Sequence, residues 1–143
     1  MIHITGRVLD TRGQPKLGST VEIWQCDANG IYRHPRAAGQ GRIDHAFQGY
    51  GRTQVDENGQ YRFRTIRPVP YPGRTLHIHF AVHVPGRLVT QMYIEGEPLN
   101  ARDGVLNGIR DPQARRSVIV HLASGQIPEA GALQGRFDIV VPT

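Results

Sequence analysis

One cysteine, one lysine, one tryptophan and two methionines are all that this 143-residue chain holds of those residue types. Cys26 has no second cysteine to join, so an internal disulfide is excluded and a reducing compartment is the natural fit. No apolar run approaches the about 18 residues that a membrane-spanning helix needs. The opening MIHITG lacks a basic stretch followed by an apolar one, so no secretory leader is read and a cytoplasmic location is expected. Acidic residues are also the minority, 12 against 17 basic ones, for a net charge of +5. Sixteen of the basic residues are arginines, scattered along the chain without a recognition helix or a stacking-aromatic motif. That pattern argues against nucleic acid and for an anionic small substrate.

Helix-favouring runs are scarce, while seventeen glycines and ten prolines punctuate short apolar alternations. The pattern predicts an all-β fold, a single-domain sandwich of mixed and antiparallel strands with long active-site loops, spanning residues 1–143. Strands are predicted at 2–10, 19–25, 51–55, 61–66, 75–84, 88–93, 118–122 and 136–141. In 19–25, Val21 and Ile23 should face opposite to Glu22 and Trp24. The turn 56–59 (DENG) is predicted to close a hairpin between 51–55 and 61–66. Residues 35–49 have no sustained period and read as a long loop, and 98–116 as irregular chain with one short helical turn. Pro68, Pro70 and Pro72 make a stiff extended arm around Tyr71.

The chemistry concentrates in residues 76–80 (LHIHF). Strand side chains alternate faces, so His77 and His79 point the same way, their backbones about 6.5–7 Å apart, and can converge on one metal ion. By themselves they fit a solvated strand face equally well. Tyr71 on its proline arm and Tyr32 after the Asn29-Gly30 turn extend the pair to a four-residue set. Two phenolates and two neutral imidazoles suit a hard, highly charged cation such as ferric iron. Zinc would more usually recruit cysteine, histidine or carboxylate. His34, His45 and His83 have no partner at ligand spacing and read as loop or strand-face residues.

The chain resembles the intradiol ring-cleavage dioxygenases, most closely the iron-bearing β subunits of those acting on protocatechuate. The likeness runs through residues 21–25 (VEIWQ), 29–34 (NGIYRH), 47–53 (FQGYGRT), 59–66 (GQYRFRTI), 68–72 (PVPYP), 74–80 (RTLHIHF), 90–96 (TQMYIEG) and 136–140 (RFDIV). The resemblance implies that Tyr32, Tyr71, His77 and His79 hold non-haem Fe(III), Tyr32 and His77 equatorially and Tyr71 and His79 axially. It implies that Arg74 faces the substrate and steadies its developing negative charge, with Gln91 beside it. It implies that Trp24 lines the pocket and that Tyr71 leaves the metal to take a catechol proton. The reaction so implied is cleavage of a catechol between its hydroxyl-bearing carbons, with O2, to a cis,cis-muconate-type diacid. The partners are then a catecholic substrate and O2, with self-association or a second subunit completing the pocket.

Three departures from the pattern stand out. Gly73 replaces the tryptophan that follows Tyr-Pro in the nearest relatives, and the N-terminal helical extension of the catechol and hydroxyquinol enzymes is missing. So is the extra N-terminal segment of the protocatechuate β subunits. Two other readings compete. One is a non-catalytic β-sandwich binding module, which the opening 6–21 also resembles. The other is a zinc hydrolase using His77, His79 and a third ligand such as His45.

Overall fold

A computed structural model describes residues 1–25, 50–67, 74–84, 86–125 and 131–142. Among these residues, ten strands form two five-stranded sheets. The first sheet contains β1 (Ile2–Leu9), β4 (Gln60–Thr65), β8 (Ala123–Gly125), β9 (Ala132–Arg136) and β10 (Ile139–Val140). β1 pairs antiparallel with β4 and parallel with β9 and β10. The second sheet runs β3 (Tyr50–Gln54), β2 (Thr20–Trp24), β5 (His77–His83), β6 (Arg87–Ile94) and β7 (Ile119–Val120). Its pairings are antiparallel except for β6 with β7. An all-β sandwich of mixed and antiparallel strands is thus what the chain forms.

The alternation along the strands builds the core. In β5, Ile78, Phe80 and Val82 are fully buried, as are Ile4 and Val8 of β1 and Val21 of β2. Each such side chain is worth about 1.5–3 kcal/mol relative to exposure. Phe80 meets Phe63 and Phe137 edge-on, tying the two sheets together. As expected, Val21 and Ile23 face this core while Glu22 and Trp24 are only partly buried on the other face.

The 56–59 turn forms, with Gly59 at φ 75° donating its N–H to Asp56 O. It does not close the predicted hairpin. β3 pairs with β2 and β4 with β1, so the turn carries the chain from one sheet to the other. Val8 N–H donates to Gly59 O and anchors this crossing to the first sheet. The 98–116 stretch is also more ordered than expected. It holds a 3-10 helix (Pro98–Arg102), α1 (Gly104–Asn107) and α2 (Pro112–Ser117). The predicted strand 118–122 shortens to β7, 136–141 contributes β10 and the last residue of β9, and the rest of β9 arises from residues that carried no strand signal. Among the described residues no helix is long and apolar enough to cross a membrane.

Candidate metal centre

β5 is central in its sheet, so its outward side chains are flanked on both sides. The register sets Tyr50, Trp24, His79 and Gln91 in one row across β3, β2, β5 and β6, and His77 opposite Tyr93 in the next. His77 and His79 occupy the face away from Ile78, as the alternation requires.

His77 is 4% exposed, and its Nδ1 lies 2.7 Å from Thr75 O. A carbonyl only accepts, so Nδ1 carries the proton and Nε2 presents a lone pair. Burial lowers the His77 pKa, and Arg74 adds to that, outweighing the Thr75 hydrogen bond and Asp103, so the ring is neutral at pH 7. A neutral imidazole with its far nitrogen fixed on a carbonyl is the form that ligates metals.

His77 Nε2 and His79 Nε2 converge to 3.1 Å, with the rings at 74° to each other. A shared proton or a shared cation can bridge two nitrogens at that distance. Two donors each about 2.1 Å from one centre lie about 3 Å apart when roughly at right angles to it, so the pair fits two sites of a single ion. Among the described residues no third histidine, cysteine, aspartate or glutamate joins them. Tyr32 and Tyr71, the other two expected ligands, lie outside the described residues, as do His34 and His45.

Trp24 stacks on His79, ring centres 5.1 Å apart and planes 4° from parallel. It thus touches a candidate ligand, from the face of β2 opposite Val21 and Ile23.

Among the described residues, Gln91, Tyr93 and Asp103 hold Arg74. Its Nη2 donates to Gln91 Oε1 at 2.6 Å and to Tyr93 Oη at 3.2 Å, and its Nε donates to Asp103 Oδ2 at 2.8 Å. Tyr93 Oη–H also donates to Gln91 Oε1, 2.7 Å away. With that oxygen claimed twice, the Gln91 amide nitrogen is turned toward His79 Nδ1, 3.5 Å distant. The structure thus brings Arg74, Gln91, Trp24, His77 and His79 into one connected cluster.

Tyr93 and Asp103 belong to the same cluster and went unnamed in the sequence reading. Tyr93 was within reach of strand alternation, being two residues from Gln91 and so on its face. Asp103 was not, because its partner Arg74 is 29 residues away and meets it only in the fold. Burial pushes the Asp103 carboxyl up, but hydrogen bonds from Arg74, Leu106 N–H and Thr75 N–H outweigh it and hold its pKa below the usual value.

His83, at the far end of the same face of β5, pairs with Glu22, which also accepts from Tyr50. This is the strand-face role expected for it.

A protein-family model described as "Dioxygenase" matches residues 1–142. Among curated proteins, the beta chain of protocatechuate 3,4-dioxygenase from Burkholderia cepacia is 41% identical over 151 residues, covering 98% of this chain and 63% of that protein. A hydroxyquinol 1,2-dioxygenase of Corynebacterium glutamicum is 35% identical over 129 residues, covering 76% of this chain and 40% of that one. This chain therefore spans between two fifths and just under two thirds of those relatives. Among solved structures, the dioxygenase domain of a carbohydrate-binding fusion protein from Streptomyces sp. SirexAA-E superposes with a TM-score of 0.72 at 29% identity, over 99% of this chain and 79% of that one. The 3-chlorocatechol 1,2-dioxygenase of Rhodococcus opacus 1CP shares the fold, with a TM-score of 0.77 at 22% identity, over 99% of this chain and 60% of that one.

Proposed function

Because this chain belongs to the intradiol ring-cleavage dioxygenase family, we propose that it cleaves a catecholic aromatic between its two hydroxyl-bearing carbons, adding both atoms of O2. The product is a cis,cis-muconate-type diacid, and the whole of residues 1–143 serves as the catalytic domain. The observation that carries this reading is the pair of imidazole Nε2 atoms 3.1 Å apart on one sheet face, joined through Gln91 to a firmly held arginine.

In this reading Tyr32, Tyr71, His77 and His79 hold ferric iron. Bound there, the iron would supply Lewis acidity that lowers the pKa of the catechol hydroxyls and activates the ring toward O2. His77 contributes a lone pair aimed by its bond to Thr75 O. His79 is kept in plane by Trp24 stacked on one side and by the Gln91 amide at its Nδ1. Tyr71 accepts one catechol proton as a built-in base. Arg74 sets a fixed positive charge where the substrate's negative charge grows, with no reorganisation needed at the moment of reaction. Its Nε is committed to Asp103, which leaves the Nη edge, already on Gln91 and Tyr93, as the edge turned toward the site.

The basic surface favours a carboxylated catechol of the protocatechuate type. Self-association or a second subunit would then wall the pocket, and the lone Cys26 fits a cytoplasmic setting. Oxygen uptake by the iron-loaded protein across protocatechuate, catechol and hydroxyquinol, with mass-spectrometric identification of the product, tests the activity. A ring-opened diacid is expected from at least one of them. No uptake on any of the three would reject the proposal.

A further inference from the structure

One buried carboxylate, outside the expected ligand and substrate set, ties the substrate-facing arginine to the metal-binding strand. Asp103 is 1% exposed, and its side chain is fully enclosed. It accepts four hydrogen bonds. Oδ1 takes Val105 N–H at 3.0 Å and Leu106 N–H at 2.9 Å, which caps α1. Oδ2 takes Arg74 Nε–H at 2.8 Å and Thr75 N–H at 2.9 Å. Thr75 is secured again from the same segment, its hydroxyl donating to Asn100 Oδ1 at 2.7 Å. Asn100 in turn donates to Ile94 O, at the end of β6. Thr75 O is the acceptor that orients His77. The 98–107 segment therefore reaches back over the entry to β5 and grips two consecutive residues there.

We propose that Asp103 is a positioning residue for the ring-cleavage reaction: it fixes the Arg74 guanidinium against Gln91 and Tyr93 while securing the Thr75 backbone that aims His77. The catalytic consequence rests on the dioxygenase reading above; the grip on Arg74 does not. An isolated arginine has freely rotating torsions, and ordering it from solution at each turnover would cost entropy. A bidentate arrangement, with Nε on a carboxylate and Nη2 on an amide oxygen, removes that freedom beforehand. Burial of the carboxylate away from water keeps the pair from exchanging partners.

The test uses the iron-loaded full chain. Asp103→Asn keeps an N-capping oxygen for α1 but turns an NH2 toward Arg74 Nε–H and Thr75 N–H, so the grip is lost while the cap remains. The expected result is a fall in kcat/KM of about 10- to 100-fold with iron content retained. In an Arg74→Gln background the same change should cost clearly less, because the part of the loss that runs through Arg74 is already gone and only the Thr75 bond remains to lose. An equal loss in both backgrounds would show a merely structural carboxylate and overturn the proposal, as would unchanged activity of Asp103→Asn. Should that variant not fold, Asp103→Ser decides by the same criteria, since serine caps as well but is too short to hold Arg74.

Nitrogen-15 NMR of the arginine side chains keeps the two readings apart. A slowly exchanging Arg74 Nε–H signal that is lost in the Asp103 variant supports the grip even if no catechol is turned over. A signal unaffected by the substitution refutes it.

Discussion

Strand β5 carries three histidines on one face, and its two ends put the same side chain to different uses. At the first end, among the described residues, His77 bonds a backbone carbonyl, and His79 meets a glutamine amide and stacks on a tryptophan face. At the other end His83 meets the Glu22 carboxylate, with its side chain 36% exposed. A carboxylate in contact occupies the ring nitrogen that a metal would need, whereas a buried neutral ring keeps a lone pair for one. Same-face spacing is common to both ends, since His79 and His83 are four residues apart on the same strand. What separates the candidate metal site from a carboxylate-paired histidine is therefore the set of neighbours that long-range strand pairing brings.

The sharpest break of this contrast is His77→Ala. It should empty the iron site, with a loss in iron affinity exceeding the about 100-fold typical of removing a supporting hydrogen bond, read by metal analysis after dialysis. Arg74→Ala comes next. It should leave iron content unchanged and lower kcat by about 10²- to 10³-fold, the usual cost of one preorganised electrostatic contact; steady-state kinetics with metal analysis of the same sample would check it. Trp24→Ala removes the stack on His79, a contact of about 0.5–1.5 kcal/mol or roughly 2- to 12-fold in turnover, and Trp24→Phe should recover most of it.

The smallest effects belong to the other end of the strand. His83→Gln should leave turnover within about twofold and stability within about 1 kcal/mol, as for a partly exposed ion pair, measured by thermal melting. Glu22 supplies a pH signature there. Burial raises its pKa, but hydrogen bonds from Tyr50 and His83 prevail, so its folded value lies below 4.5. Its stabilisation is thus complete above the unfolded carboxylate range and is lost as pH falls through the lower folded value. Glu22→Gln should flatten that acid limb of the melting curve without changing turnover near pH 7.

Much of the site was legible in the chain because it follows from strand alternation. His77 and His79 face one way by period-two reasoning, as the register has it, whereas Gln91 and Trp24 were named only by the resemblance and fall in the row of His79. Pairing partners were not legible. The 56–59 turn looks like a hairpin turn locally, yet β1, more than fifty residues earlier, claims β4 through six paired positions. β9 (ALQGR) has few β-branched or aromatic residues and forms because β1 and β8 flank it. α1 and α2, four and six residues long, are too short to show a helical period; the Asp103 and Asp111 caps and Pro112 at the start of α2 were their local signals. The link from Arg74 to Asp103 depends on how those short helices return to the sheet.

Visible absorption of the ferric-iron-loaded protein tests the central claim most directly, because phenolate ligation to Fe(III) produces a charge-transfer band that imidazole or carboxylate ligation does not. A wine-red protein is predicted, its band weakened in Tyr32→Phe and in Tyr71→Phe and lost with the iron in His77→Ala. A protein that binds iron stoichiometrically and stays colourless would contradict the account.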